Sequence, residues 1–195
     1  NIKKDLDLTK KQDEEISKTP KTLSHISNII KKETKRLRFL IEKVLQVSMF
    51  EHEKIILKTI EADANELIKN ITSNFSIKVE SKGGAIKTNL KAKNPRILIN
   101  EIHFTNVIYN LMDNALKYKK ETEPLILNIE TYNDKNDDLI ISIKDNGIGI
   151  KKEYFKKMFD RLYRIPTGNT HNVKGFGLGL AYVKKLIQEH EGTIT

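Results

Sequence analysis

The sequence contains no cysteine, and this absence excludes both a disulfide-stabilised fold and a metal site built from thiolates. It also contains no apolar run that approaches about 18 residues, so no transmembrane helix is predicted. No basic segment followed by an apolar one opens the chain, so no secretory signal peptide is predicted either. The lack of cysteine fits a reducing compartment.

The familiar glycine-rich phosphate loops are missing as well. The chain has no G-x-x-x-x-G-K-[ST] run of the Walker A type. Its GFGLG run at 175–179 lacks the spacing of the dinucleotide-binding fingerprint and follows a predicted loop rather than a strand. The V-A-I-K, H-R-D and D-F-G motifs of eukaryotic-type protein kinases are absent too. These absences exclude three large classes of nucleotide-binding protein.

The 195 residues carry an excess of positive charge, with 35 Lys and Arg against 26 Asp and Glu and a formal net charge of +9. A basic balance suits an anionic ligand or partner. The lysines are nevertheless scattered among acidic residues, and the basic runs contain no interleaved aromatic residues. We therefore expect no nucleic-acid partner.

The first part of the chain predicts one long amphipathic helix after a polar lead-in at 1–17. Thr19-Pro20 suits a helix start, because proline is tolerated in a first turn. The helix is expected over 21–50, with apolar residues at spacings of three and four. Such a one-sided stripe favours coiled-coil-like pairing with another chain. The stripe consists of Ile26, Ile30, Leu37, Leu40 or Ile41, Val44 and Val47.

The remainder, residues 51–195, mixes strand and helix patterns and predicts an α+β fold, a two-layer α/β sandwich with a mixed sheet. Asp63 is a predicted helix N-cap. The two predicted β-hairpins span 76–92, turning at Gly83-Gly84, and 125–145. The other expected elements are a strand at 53–62, a helix from 63 to 75, a strand at 96–100, and helices at 101–120, 151–158 and 177–190. Thr193 begins a further strand-like run at the end of the sequence.

Three polar or glycine-rich clusters follow one another in this second part. In NLMDNALKY, Asn110 and Asn114 are four residues apart and share one helix face. A carboxamide oxygen can ligate Mg²⁺, which keeps several waters and bridges to phosphates. Lys117 and Tyr118 follow one turn later and add a cation for phosphate and an aromatic face.

The other two clusters are DNGIGI at 145–150 and KGFGLGL at 174–180. Asp145 offers a carboxylate acceptor to an exocyclic amine, and the glycines after it let backbone approach a ring. The second cluster opens a helix, where free N–H groups and the helix dipole favour an anion. Each cluster alone is typical of a tight turn, whereas the three in this order indicate a nucleotide site.

With these residues the chain resembles the sensor histidine kinases, specifically their GHKL-type (Bergerat-fold) ATP-binding domain. NLMDNALKY resembles the N box, and DNGIGI and GFGLGL resemble the two glycine boxes. FDRLYR at 159–164 is similar to the F box, although Leu162 stands where the family carries a second aromatic residue. The helix at 21–50 resembles the second helix of the dimerisation and histidine-phosphotransfer hairpin. The resemblance implies a truncated dimerisation region at 1–50 and an ATP-binding catalytic domain at 51–195.

The resemblance also implies residue roles. Asn114 would ligate Mg²⁺ with support from Asn110, Lys117 would contact phosphate, and Tyr118 would pack beside the adenine. Asp145 would accept from the adenine amine. A lid over about 151–174 would cover the triphosphate. The remaining implied residues are Gly147 and Gly149 for the adenine floor, Gly175, Gly177 and Gly179 for the triphosphate, and Arg164 and Lys174 as lid cations.

The phosphoacceptor histidine that the resemblance requires does not match any of the five histidines. His25 is followed by Ile rather than by an acid, so it lacks an adjacent general base. EISKTP at 15–20 imitates the family's H-E-x-x-[TN]-P motif, but Glu15 stands in place of the histidine. We therefore expect the phosphoacceptor upstream of Asn1, the last strands of the domain beyond Thr195, and no catalytic residue within this sequence.

The resemblance implies a protein histidine kinase that uses ATP and Mg²⁺. It would form a homodimer through the N-terminal helix and pass its phosphoryl group to the Asp of a response-regulator receiver domain. The catalytic portion would be cytoplasmic, and the full-length protein would be a membrane-anchored sensor. Two alternatives are a degenerate ATP-sensing or dimerising scaffold and a GHKL-type ATPase. The ATPase uses a Glu as general base where this chain has Asn110.

Overall fold

The computed structural model describes residues 23–34, 36–37, 58–165 and 176–195. The chain divides into two units, residues 1–51 and 52–195. In the first unit, residues 23–34 and 36–37 are helical, and the other residues of the helix expected over 21–50 lie outside the described ones. The apolar side chains of Ile26 and Ile30 are exposed on this helix. None of the described helices is both long and apolar enough to cross a membrane.

The second unit has the α+β architecture predicted from the sequence. In chain order its elements are β1 (Ile60–Asp63), α1 (Ala64–Glu80), β2 (Ala85–Leu90), β3 (Arg96–Ile99), α2 (Glu101–Lys117), β4 (Ile126–Asn133), β5 (Leu139–Asp145) and α3 (Gly179–Glu189). β1 pairs with β3 in an antiparallel two-stranded sheet. β4 lies at the centre of a three-stranded sheet, parallel to β2 and antiparallel to β5, so the predicted mixed sheet is confirmed.

The hydrophobic core of this unit joins α1 and α2 to the three-stranded sheet. Its apolar side chains recur at helical spacing on the two helices and at alternate positions on β4. Fully burying one such side chain contributes about 1.5–3 kcal/mol. The core residues include Ile68, Phe75 and Val79 of α1, Ile108 and Met112 of α2, and Leu127 and Ile129 of β4.

Side-chain caps fix where the first two helices begin. Asp63 accepts a hydrogen bond from the backbone N–H of Glu66 at 3.1 Å, so the predicted cap of α1 is confirmed. Asn100 accepts one from the N–H of His103 at 3.1 Å and caps α2 in the same way. Asp63 is the last residue of β1 and Asn100 directly follows β3, so the two helices start at defined points at opposite ends of the β1–β3 sheet.

Two histidines tie α3 to α2. His190, at the end of α3, accepts the backbone N–H of Asn100 on Nε2 at 3.1 Å and donates from Nδ1 to the carbonyl of Leu186 at 2.7 Å. His103 shares a hydrogen bond with the Tyr182 hydroxyl at 3.1 Å. Burial lowers the pKa of His103, and the nearby imidazole of His190 lowers it further. These contacts hold the helix that follows the second glycine cluster against the helix that carries the asparagines.

The predicted hairpin over 76–92 is wrong. Residues 76–80 continue α1, because Val79 is buried four residues after Phe75 and extends the apolar face of that helix. Gly83 has φ of +75° and ends the turn after α1, while the N–H of Gly84 bonds back to the carbonyl of Val79 at 3.0 Å. β2 consequently runs parallel to β4 and has no hairpin partner in 76–80.

Other element bounds also differ from the sequence prediction, and among them α2 ends at Lys117 rather than at 120. The strand expected at 53–62 begins only at Ile60, with 53–57 outside the described residues. The helix expected at 151–158 is a single 3₁₀ turn, Lys152–Tyr154, followed by further turns. The last helix begins at Gly179 rather than at 177, and residues 193–195 form no strand.

Candidate nucleotide-binding site

Asn110 and Asn114 lie on the face of α2 that meets the start of α3. A Cβ atom at Gly179 would stand 3.2 Å from Asn110 Oδ1 and 4.0 Å from Asn114 Nδ2. The Asn110 amide is oriented by a hydrogen bond from its Nδ2 to the carbonyl of Asn106 at 2.8 Å. The first and third clusters of the sequence therefore converge, and a larger residue at Gly179 would crowd the two carboxamides.

The 145–150 turn packs on the C-terminal end of α2, one turn beyond Asn114. The N–H of Gly147 bonds to Asp145 Oδ1 at 2.7 Å, and the N–H of Ile148 bonds to the carbonyl of Tyr118 at 3.0 Å. A Cβ at Gly147 would stand 2.6 Å from both the Tyr118 carbonyl oxygen and Asp145 Oδ1. This position therefore accepts only glycine, and the lack of a side chain brings the second cluster against the first.

Asn146 is a site residue that the sequence prediction passed over. Its Oδ1 accepts the backbone N–H of Ile126 at 2.8 Å, and its Nδ2 donates to the carbonyl of Pro124 at 3.0 Å. These bonds fasten the turn to the start of β4. The sequence signal that could have indicated this role is the preference of Asn in turns for hydrogen bonds from its side chain to the backbone. Asn146 thus positions Asp145 and Gly147.

The FDRLYR segment lies against the second glycine cluster. Gly177 has φ of +69°, and a Cβ there would stand 2.7 Å from backbone atoms of Leu162 and Tyr163. The N–H of Leu162 bonds to the Gly177 carbonyl at 3.0 Å, with Leu162 itself at φ of +61°. Lys184 of α3 places its ammonium 5.6 Å from the centre of the Phe159 ring. Leu162 thus contributes backbone contacts to this junction, and its side chain is exposed.

Lys117, the predicted phosphate cation, is paired with a carboxylate. Its Nζ lies 2.7 Å from Asp113 Oδ2, and Lys78 of α1 lies 2.7 Å from Asp113 Oδ1. Burial opposes ionisation of Asp113, but hydrogen bonds and charges from Lys117 and Lys78 outweigh it and hold the pKa of this carboxyl below its usual value. Asp113 is therefore ionised at neutral pH.

Of the remaining predicted site residues, Gly149 and Arg164 lie within the part of the chain that the structure describes, and Lys174 and Gly175 do not. Gly149 has φ of +71° and no atom within 4 Å of the place a Cβ would take. Arg164 is exposed in the segment before residue 166. Lys174 and Gly175 lie outside the described residues, as does most of the second half of the lid expected at 151–174. Proximity of these residues to the asparagines stays a prediction.

The polar groups at this site suit both an anion, through backbone N–H groups, and a hard cation, through amide oxygens. Leu178 at the N-cap of α3 makes no side-chain hydrogen bond to the helix, so within the described residues the first N–H groups of α3 have no side-chain cap and suit an anion. Across the described ranges, no group of three or more His, Cys, Asp or Glu side chains is arranged to hold a metal. Amide oxygens together with phosphate oxygens and water are a ligand set that Mg²⁺ accepts.

Comparison with known proteins identifies this arrangement. Residues 99–195 match the family model described as histidine kinase-, DNA gyrase B-, and HSP90-like ATPase. The sensor protein RprX of Bacteroides fragilis (strain YCH46) is 59% identical over 183 residues, which are 94% of this chain and 35% of RprX. The chain thus spans about a third of the length of that relative.

Solved histidine kinase structures share the fold. Full-length ShkA in complex with AMPPNP aligns with a TM-score of 0.67 at 22% identity, over 79% of this chain and 31% of ShkA. The histidine kinase ThkA in complex with the response regulator protein TrrA aligns with a TM-score of 0.61 at 22% identity, over 85% of this chain and 44% of that one. The family match and the identity to RprX show that the chain contains the ATP-binding domain of a sensor histidine kinase.

Proposed function

We propose that this domain binds ATP with Mg²⁺ between α2, the 145–150 turn and the start of α3, and donates the γ-phosphoryl group to a histidine. The observation that supports this most is the approach of Gly179 to Asn110 and Asn114, since it joins the asparagine face to an uncapped helix N-terminus. Asp145, anchored through Gly147, stands beside Tyr118 at the C-terminal end of the same helix, one turn beyond Asn114. The approach of α3 to the asparagines suits a triphosphate, and the 145–150 turn suits a base.

The residues of the chain would contribute positioning and charge. Asn114 and Asn110 would hold Mg²⁺, which neutralises charge on the phosphate oxygens when bound. The N–H groups at the start of α3 would bind the phosphates, and Asp145 would accept from the adenine amine. An imidazole nitrogen would attack the γ-phosphorus while the bond to the β–γ bridging oxygen breaks, releasing ADP.

Hydrolysis by the domain itself is not supported by this site. The α2 position beside Gly179 carries the amide of Asn110, which cannot accept a proton from water near neutral pH. A water molecule there would have no general base on that residue. Transfer of the phosphoryl group to a histidine does not require a general base at Asn110, so the site favours a kinase over an ATPase.

We assign residues 1–50 to the dimerisation and phosphotransfer region and propose a homodimer through its helix, because the described part carries exposed apolar side chains at Leu23, Ile26, Ile30 and Leu37. The ThkA–TrrA complex supports a response-regulator receiver domain as the acceptor of the phosphoryl group. We propose that the whole protein is a membrane-anchored sensor with this portion in the cytoplasm; the relative RprX is named a sensor protein.

Isothermal titration calorimetry tests the nucleotide site. We expect ATP to bind in the presence of Mg²⁺ and to bind about tenfold more weakly in EDTA, because the metal bridges protein oxygens to phosphate. Asn114→Ala should abolish this difference. Asn74→Ala removes an exposed asparagine of α1 and should leave ATP binding unchanged. Absence of binding at millimolar ATP, or equal loss in both variants, would contradict the proposal.

A further inference from the structure

Asp113 is shared by two lysines from different helices. Its Oδ2 pairs with Lys117 and its Oδ1 with Lys78, each at 2.7 Å. The carboxylate side chain is 31% exposed, against 50% for Lys78 and 37% for Lys117. Each oxygen thus has its own cation, and the two pairs are only partly screened by water.

Lys78 is held in place by the packing of α1 on α2. Its ammonium lies 5.0 Å from the centre of the Phe75 ring. Phe75 is buried and contacts Tyr109 of α2 edge-on, with ring centres 5.5 Å apart. Lys78 therefore reaches Asp113 from a fixed surface of the neighbouring helix.

Lys117 can serve an anionic ligand at full charge only if it leaves Asp113. A partly buried carboxylate that loses its counter-ion pays a desolvation cost. Lys78 already occupies the other oxygen, so Asp113 keeps a counter-ion when Lys117 moves. Without Lys78, the Asp113 carboxylate would have Lys117 as its single partner among these residues. Release of Lys117 would then cost more free energy, because it would leave the carboxylate without a counter-ion.

We propose that Lys78 and Asp113 are positioning residues that set the affinity for the nucleotide phosphates by controlling the availability of Lys117. Asp113 retains Lys117, and Lys78 competes for the same carboxylate and allows Lys117 to turn to the phosphates. This inference rests on the proposed function, in which Lys117 contacts phosphate. It adds a residue of α1, outside the three sequence clusters, to the determinants of ATP affinity.

Calorimetry on the full chain with ATP and with adenosine, both in Mg²⁺, tests the proposal. Lys78→Met should weaken ATP binding about threefold to tenfold, because Asp113 then retains Lys117. Asp113→Asn should strengthen ATP binding by a similar factor. The double variant should match Asp113→Asn, since Lys78 acts only through Asp113. Lys78→Arg should restore the ATP affinity, and adenosine affinity should stay constant throughout.

Lys82→Met is the matched control, because it removes one exposed lysine just beyond α1 without touching Asp113. A purely long-range charge effect would make Lys78→Met and Lys82→Met equal and would persist in the Asp113→Asn background. Either result would overturn the proposal, as would an equal change in adenosine affinity. Failure of the unchanged protein to bind ATP would remove the proposed function and this inference together. ATP binding that is indifferent to Lys78 and Asp113 would remove this inference alone.

Discussion

Replacement of Asp145 by alanine is expected to weaken ATP binding by about 10- to 100-fold, the worth of a hydrogen bond to a charged group. Asp145 Oδ1 accepts the N–H of Gly147. The second carboxylate oxygen, Oδ2, has no hydrogen-bond partner among the described residues, and we expect it to accept the adenine amine. Asp145→Asn retains an oxygen for Gly147 but presents an NH₂ group to the base. This variant should lose ATP affinity and gain affinity for GTP, whose base has a carbonyl at that position. Competition calorimetry with ATP and GTP measures both effects.

Asp138 provides the matched control for this prediction. It is an exposed aspartate at the opposite end of the β4–β5 hairpin, next to the pair Asn133–Leu139, whereas Asp145 pairs with Leu127. Asp138→Ala should leave the affinities for ATP and GTP unchanged. Equal ATP affinity in Asp145→Ala and the unchanged protein would contradict the role of Asp145 in base recognition.

Replacement of Gly147 by alanine is expected to impair both the fold and the site. The new Cβ would lie 2.6 Å from the Tyr118 carbonyl oxygen and from Asp145 Oδ1, so the turn must move away from α2. Crowding of this kind costs about 1–3 kcal/mol of unfolding free energy. The displaced turn would also move Asp145, so ATP affinity should fall by about tenfold or more. Denaturant unfolding and calorimetry measure the two losses.

Replacement of a glycine remote from the site is the control that separates the loss of stability from the loss of ATP affinity. Gly83 has φ of +75° with no atom within 4 Å of a Cβ position, and it lies in the turn after α1. Gly83→Ala should cost about 1 kcal/mol through backbone strain while ATP affinity stays constant. An ATP affinity of Gly147→Ala equal to that of Gly83→Ala would show that the 145–150 turn does not shape the site.

The sequence predicted elements whose local pattern agrees with their burial. α2 was predicted from the spacing of Phe104, Val107 and Ile108, and these side chains are buried. The β4–β5 hairpin was predicted from two strand-like runs joined by a short polar loop, and Leu127 and Ile129 of β4 alternate inward. In both, the hydrophobic period of the segment matches the surface against which it packs.

The end of α1 was mispredicted because its local pattern also fits a strand. Ile77 and Val79 alternate with polar residues, and Gly83-Gly84 suggests a hairpin turn. Only the three-dimensional packing distinguishes the two structures. Val79 is fully buried and Ile77 is exposed, as expected for opposite faces of a helix, whereas in a strand the two side chains would share one face. The parallel pairing of β2 with β4 joins residues about forty apart, which no local pattern indicates.

The candidate site was predictable where each residue type has one chemical use. Two carboxamides at helical spacing and two glycine clusters could be read directly, and the structure brings Asn110 to Gly179 and Gly147 to Tyr118. The support of the site could not be read in this way. Lys78 reaches Asp113 across 35 positions of sequence and lies in the segment that was mispredicted as a strand.

The most direct test of the account is a titration of the isotope-labelled chain with ATP and Mg²⁺, followed in its two-dimensional amide NMR spectrum. If α2, the 145–150 turn and the start of α3 form one nucleotide site, the largest amide shifts will fall on Asn110 to Tyr118, Asp145 to Ile150 and Gly177 to Leu180. Amides of the distant β4–β5 turn, such as Lys135, should not shift. Saturable shifts confined to other segments, or no shifts at millimolar ATP, would contradict the central claim.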